Sequence, residues 1–91
     1  MDIKHINGLN ERDILKKAQR KRAITQETLA QRLGVKRNAL NQNMNRSRMS
    51  LNTFIDVLNA MDYDIVIVDR ETGEAEWKID VPDRDLIDED I

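Results

Sequence analysis

Between Lys36 and Asn45 the chain runs Lys-Arg-Asn-Ala-Leu-Asn-Gln-Asn-Met-Asn, and Arg46-Ser47-Arg48 follows as a basic loop. Only Ala39, Leu40 and Met44 are apolar in the first ten of these positions. Asparagine, a poor helix former, stands at 38, 41, 43 and 45. A helix of this composition gains little from packing, so its polar face is expected to have another use. The side chains available there donate hydrogen bonds and carry positive charge. That is chemistry for gripping a partner, not for breaking bonds.

The usual catalytic constellations are absent. Zero Cys excludes disulfides, thiolate zinc sites and thiol nucleophiles. A single histidine, His5, excludes a metal site or a general-base motif built on paired histidines. Gly8, Gly34 and Gly73 are too scattered for a phosphate-cradling loop. Asp83, Asp85, Asp88 and Glu89 could collect a hard cation, but no glycine supplies the sharp turn of a calcium loop. No catalytic residue, metal or cofactor is expected.

Charge separates the chain into two halves. Residues 1–50 hold 12 Lys and Arg against 4 Asp and Glu, a balance of +8. Residues 51–91 hold 3 against 13, a balance of −10. The net of −2 hides this asymmetry. A basic head with an acidic remainder points to a polyanionic partner for the head. The longest apolar run, Ile65-Val66-Ile67-Val68, is far too short to span a bilayer. No signal-peptide pattern opens the chain, so a soluble, cytoplasmic protein with no membrane partner is expected. At 91 residues it is one small domain, marginally stable alone, for which oligomerisation is a natural remedy.

The elements that must position the polar helix emerge from periodicity. Ile14, Leu15 and Ala18 form an apolar stripe behind a cap at Asn10 or Asp13. Thr25 is an N-cap for a second helix, with Leu29, Ala30 and Leu33 facing inward and Gly34 as a left-handed terminator. Val35 comes next as a core plug. The third helix covers Lys36 to about Asn45. Ser50 caps a fourth, in which Leu51, Phe54, Ile55, Leu58 and Met61 recur at helical spacing. The period then changes. Tyr63 to Asp69 is β-branched and apolar on both faces, residues 70–73 make a turn, and Glu74 to Val81 alternates. The fold class is therefore mainly α with a C-terminal β-hairpin. Three segments are expected: residues 10–62 as the binding domain, 63–81 as the hairpin, and 82–91 as an acidic flexible tail.

Two helices joined by a short glycine-containing turn, with a small residue at Ala30, make a helix-turn-helix. Such a pair lets its second member, the third helix of the chain, enter a major groove while its first member crosses the backbone. The segment from Thr25-Gln26-Glu27-Thr28-Leu29-Ala30 through Gly34-Val35-Lys36-Arg37-Asn38-Ala39-Leu40 strongly resembles the Cro/C1 (XRE) family of regulators, over about residues 10–61. The helix from Ser50 to Met61 and the strand after it look like the HipB-type antitoxins. Two positions depart from the family pattern: Lys36 replaces the usual Ser or Thr cap, and Asn43 replaces an apolar residue.

The resemblance implies a lambda-repressor-like helix-turn-helix bundle that reads double-stranded DNA. It implies that Thr25 and Gln26 open the helix against the backbone, with Gln26 reaching phosphate or the first base pair. Lys36, Arg37, Asn38, Asn41 and Gln42 would lie on the reading side of the third helix. Arg can fork to guanine O6 and N7, and Asn or Gln to adenine N6 and N7. Asn45, Arg46 and Arg48 would grip phosphate. Lys16, Lys17, Arg20 and Lys21 would add long-range attraction.

The hairpin has a separate rationale. A lone two-stranded hairpin is marginal in water. One of its two apolar faces is expected to cover its own helices, and the other to meet a second copy. Tyr63, Ile65, Val66, Ile67, Val68, Trp77 and Ile79 are the expected interface of a homodimer. The leading expectation is a homodimeric repressor of a palindromic operator, of a phage, mobile element or autoregulated antitoxin. The alternative is a protein-binding antitoxin or anti-repressor whose acidic C-terminal part engages a basic partner such as a toxin.

Overall fold

A computed structural model describes residues 8, 10–45 and 49–80. Among these residues, four helices, α1 (Glu11–Arg22), α2 (Gln26–Leu33), α3 (Arg37–Met44) and α4 (Leu51–Ala60), precede two strands, β1 (Ile65–Val68) and β2 (Ala75–Ile79). The strands pair antiparallel as a hairpin. The acidic tail from residue 82, and Arg46 and Arg48, lie outside the described residues.

Three helices start on side-chain caps. Asn10 Oδ1 accepts from the Asp13 N–H at 3.3 Å, Thr25 Oγ1 from Thr28 at 3.1 Å, and Ser50 Oγ from Thr53 at 3.1 Å. Each satisfies an amide that has no partner inside the helix. α3 differs: its N-cap is Lys36, which offers no side-chain acceptor.

α1, α2 and α4 share a backbone solution at their C-terminal ends. One residue turns left-handed, and two amides return to the last carbonyls. At α2 this residue is Gly34, with φ +69°, and Val35 N–H closes on Ala30 O at 3.1 Å. At α1 it is Ala23, with φ +54°, and Ile24 N–H returns to Gln19 O at 3.2 Å. At α4 it is Asp62, with φ +67°, and Tyr63 N–H returns to Leu58 O at 3.0 Å. A side chain in this region carries a cost of roughly 1–2 kcal/mol that glycine avoids. Ala23→Gly is therefore expected to stabilise the chain by about 0.5–1 kcal/mol, once the extra unfolded-state freedom of glycine is subtracted. Thermal denaturation checks this, with an expected rise of roughly 2–8 °C for a domain of this size.

The core sits among the four helices. α4 packs on α1 and α2, and α3 packs on α2. Leu15, Leu29, Leu40, Ile55 and Met61 are fully buried, with Ala30, Leu33, Met44, Phe54, Val57 and Leu58 close behind. Two expected core residues are at the surface instead. Val35 is 42% exposed: its backbone closes the α2 turn, and Leu33 and Leu40 fill the interior on either side of it. Leu51 is 64% exposed. Helical side chains tilt toward the N-terminus, so a residue in the first turn of α4 projects past the helix end. Val57 is buried in its place, because α4 has neighbours on more than one side and needs a wider apolar arc.

In the hairpin Ile65 pairs with Ile79, Val66 with Lys78, Ile67 with Trp77, and Val68 with Ala75. The shift between the last two pairs leaves Glu76 as an extra residue, a bulge in β2. The connection is held by Gly73 N–H to Asp69 O at 2.8 Å and Glu71 N–H to Asp69 Oδ1 at 2.8 Å. Gly73 takes φ +74° there. β1 is shorter than the pattern predicts because the Tyr63 amide closes α4 instead of joining the ladder.

The expected burial of one hairpin face is corrected. Tyr63 and Ile65 pack against the core, at the base only. Val66, Ile67, Val68 and Trp77 are all exposed, from both faces. The hairpin leaves the helices rather than lying over them.

Candidate nucleic-acid interface

α3 buries Leu40 and Met44 and nothing else. With side chains about 100° apart along the helix, the direction opposite these two belongs to Asn38, Gln42 and Asn45. All three are exposed, as are Lys36 and Arg37 at the helix start. Asn41 and Asn43 flank the buried stripe and are half-buried, so Asn41 is less open than expected. Among the described residues, no hydrogen bond or ion pair occupies the side chains of Lys36, Arg37, Asn38, Asn41, Gln42 or Asn45. The face thus carries one guanidinium, one ammonium and several amides, none used by the fold. Their fork geometries match base edges in a major groove.

Ala39 is exposed within the same face. The helical pattern marks it only as apolar, so its exposure was hidden. A lone methyl between amides is the right size for contact with a thymine methyl.

The start of α2 borders this face. Thr25 is exposed, while Gln26 is half-buried. Gln26 Oε1 accepts from Gln19 Nε2 at 2.9 Å, and Gln26 Nε2 approaches Met44 Sδ at 3.4 Å. This amide therefore ties the start of α2 to α1 and to the end of α3. One of its N–H groups is left to reach outward. Lys16, Gln19, Arg20, Ala23, Ile24 and Thr25 line a shallow groove beside it. Lys17 and Lys21 are exposed on the same helix as Lys16 and Arg20.

Not every basic residue of the head serves this face. Arg22 donates from Nη2 to Asp62 O at 3.0 Å and lies over the Tyr63 ring, 4.2 Å from its centroid. Arg32 donates from Nη1 to Ala60 O at 3.0 Å and sits 3.7 Å from Asp62 Oδ2. Both point at the corner between α4 and β1. Nothing in the spacing of these arginines separates them from the other basic side chains of α1 and α2.

Of the expected dimer residues, Val66, Ile67, Val68 and Trp77 are exposed, with Trp77 at 62%. Tyr63, Ile65 and Ile79 are half-buried nearer the base. Lys78 lies 3.8 Å from both Asp64 and Asp80, exposed pairs that add little to stability. Among the described residues there is no group of His, Cys, Asp and Glu able to hold a metal ion. No helix among them is long and apolar enough to cross a membrane. Compared with family models, curated proteins and solved structures, the chain finds no match.

Proposed function

We propose that this chain is a sequence-specific DNA-binding regulator, a cytoplasmic homodimer that represses transcription from a palindromic operator. The supporting observation is the outward face of α3, polar, cationic and without hydrogen-bond or ion-pair partners among the described residues, on a helix that buries two side chains only. A short turn at Gly34 links it to α2, whose N-terminus would meet the sugar-phosphate backbone. Arg37, Asn38 and Gln42 would read base edges, with Ala39 and Asn41 beside them. Lys36, Thr25, Gln26, Asn45, Arg46 and Arg48 would set register against phosphate. The test is selection of bound sequences from a random DNA pool. Enrichment of one motif with two-fold symmetry is the expected result, and no enrichment overturns the reading.

The uncovered hairpin supports the homodimer. Removal of everything after Asp62 is expected to abolish dimerisation and weaken operator binding strongly. Sedimentation of the full chain at tens of micromolar checks this, since specific homodimer interfaces of roughly 1,200–2,000 Å² survive such dilution. A monomeric full chain would overturn the hairpin's role.

A second reading draws on the opposite end. Residues 51–80 carry eight Asp and Glu against Arg70 and Lys78. An acidic surface beside exposed apolar strands suits a basic protein partner, as in an antitoxin that also controls its own operon.

A further inference from the structure

The hairpin joins the helices at a narrow base. Among the described residues, Tyr63 and Ile65 are its side chains packed on the core. Its direction must therefore be held by whatever grips that base. The grip comes from three other elements. Arg22, the last residue of α1, stacks on the Tyr63 ring at 4.2 Å and donates to Asp62 O at 3.0 Å. Arg32 of α2 donates to Ala60 O at 3.0 Å and pairs with the Asp62 carboxylate at 3.7 Å. Asn59 of α4 donates from Nδ2 to Tyr63 O at 2.9 Å.

The chemistry suits orientation more than stability. The Arg32–Asp62 pair is exposed, and such pairs contribute little on their own. However, Ala60 O and Asp62 O are carbonyls at the negative end of α4, without partners inside the helix. Each guanidinium gives one N–H to its carbonyl and makes a second contact from the same rigid plane, Arg32 with the Asp62 carboxylate and Arg22 with the Tyr63 ring, and two contacts hold a direction where one would not. The two guanidinium groups approach from different helices, and that of Arg22 also lies over the ring that begins the hairpin.

We propose that Arg22 and Arg32 are positioning residues that set the hairpin's direction relative to α3, and thereby the half-site spacing that the dimer accepts. The spacing part rests on the DNA-binding reading, whereas the direction part does not. In a two-fold dimer the separation of the reading helices is set by the rigid path from α3 through this corner to the axis. Half-sites of such dimers lie about 34–36 Å apart or multiples of that, so a loose corner admits neighbouring spacings.

The absence of native Cys allows clean labelling. Spin labels at Gln42→Cys and Thr72→Cys, diluted with unlabelled chain, report the distance from α3 to the hairpin turn. The distribution is expected to be narrow in the parent and roughly twofold broader in Arg22→Gln/Arg32→Gln, as a released hinge requires. Tyr63→Phe keeps the ring and should stay narrow, whereas Tyr63→Leu should broaden. Equal widths in parent and double variant overturn the proposal. If the double variant loses its helical circular dichroism, Arg22→Gln alone and Tyr63→Leu decide, and equal widths there overturn it.

The second arm selects operators with a randomised spacer, using the chain without labels. The parent is expected to take one spacing, and the double variant to take neighbours differing by about one or two base pairs, with unchanged half-site sequence. A broader distribution with one unchanged spacing overturns the spacing part. If the parent enriches no symmetric site while the widths respond, the DNA-binding reading fails and the direction part stands.

Discussion

With Arg37→Ala in both protomers of the proposed homodimer, binding to the operator it would prefer is expected to weaken by about 1–3 kcal/mol per half-site, hence roughly 2–6 kcal/mol for the dimer. Preference should relax at one base position in each half-site and stay intact elsewhere. Asn38→Ala should do the same at a different position. The size reflects the loss of a two-pronged hydrogen bond while the base edge it served stays dehydrated. Folding should be almost untouched, since both side chains are exposed and make no hydrogen bond within the described residues. Titration against matched and single-mismatch operators measures both quantities. Unchanged affinity and preference in both variants, with the fold intact, would remove α3 from the reading role.

The second large effect is electrostatic. A head with a balance of +8 displaces counterions when it meets a polyanion. If each half of the dimer neutralises about three to five phosphates, log K should fall against log[salt] with a slope of roughly −5 to −9. Between 50 and 200 mM salt that is a loss of about 10³–10⁵ in affinity. Arg46→Ala or Arg48→Ala should reduce the slope by about two per dimer, one per lost contact, without altering sequence preference. Arg37→Ala should change preference more than slope. That contrast separates residues that position from residues that read. A slope near zero would assign the basic half to another kind of partner and favour the protein-binding reading.

What could be read from the sequence was mostly local chemistry. Thr25, Ser50 and Asn10 announce helix starts because a short side-chain oxygen satisfies an amide two or three residues on. Gly34 announces an end because no side chain opposes its φ. The ends of α1 and α4 were placed by periodicity, but the left-handed turns at Ala23 and Asp62 were not legible, since neither residue type demands that conformation. In each case the next residue, Ile24 or Tyr63, packs on the core. Val35 and Leu51 were misplaced for a related reason. Periodicity gives the face of a helix but not how far the cover extends beyond its last turn. The polar face of α3 was visible in its composition, whereas the diversion of Arg22 and Arg32 to the hairpin base depends on contacts 40 and 28 residues distant. The alternation of the strands predicted a hairpin correctly. Its lack of cover depends on the direction in which the chain leaves α4.

The set of residues that holds α3 in place and the set that it displays do not overlap. Leu40 and Met44 face the core, while Lys36, Arg37, Asn38, Gln42 and Asn45 face out. Substitutions at such exposed positions usually shift folding stability by no more than about 0.5 kcal/mol. On the proposed reading, the outer set can therefore change almost freely in evolution while the body stays the same. Two duplicated copies could come to address different DNA through a few point substitutions, neither passing through an unstable intermediate. Sister regulators in one cell would then be insulated from each other by the surface of a single eight-residue helix.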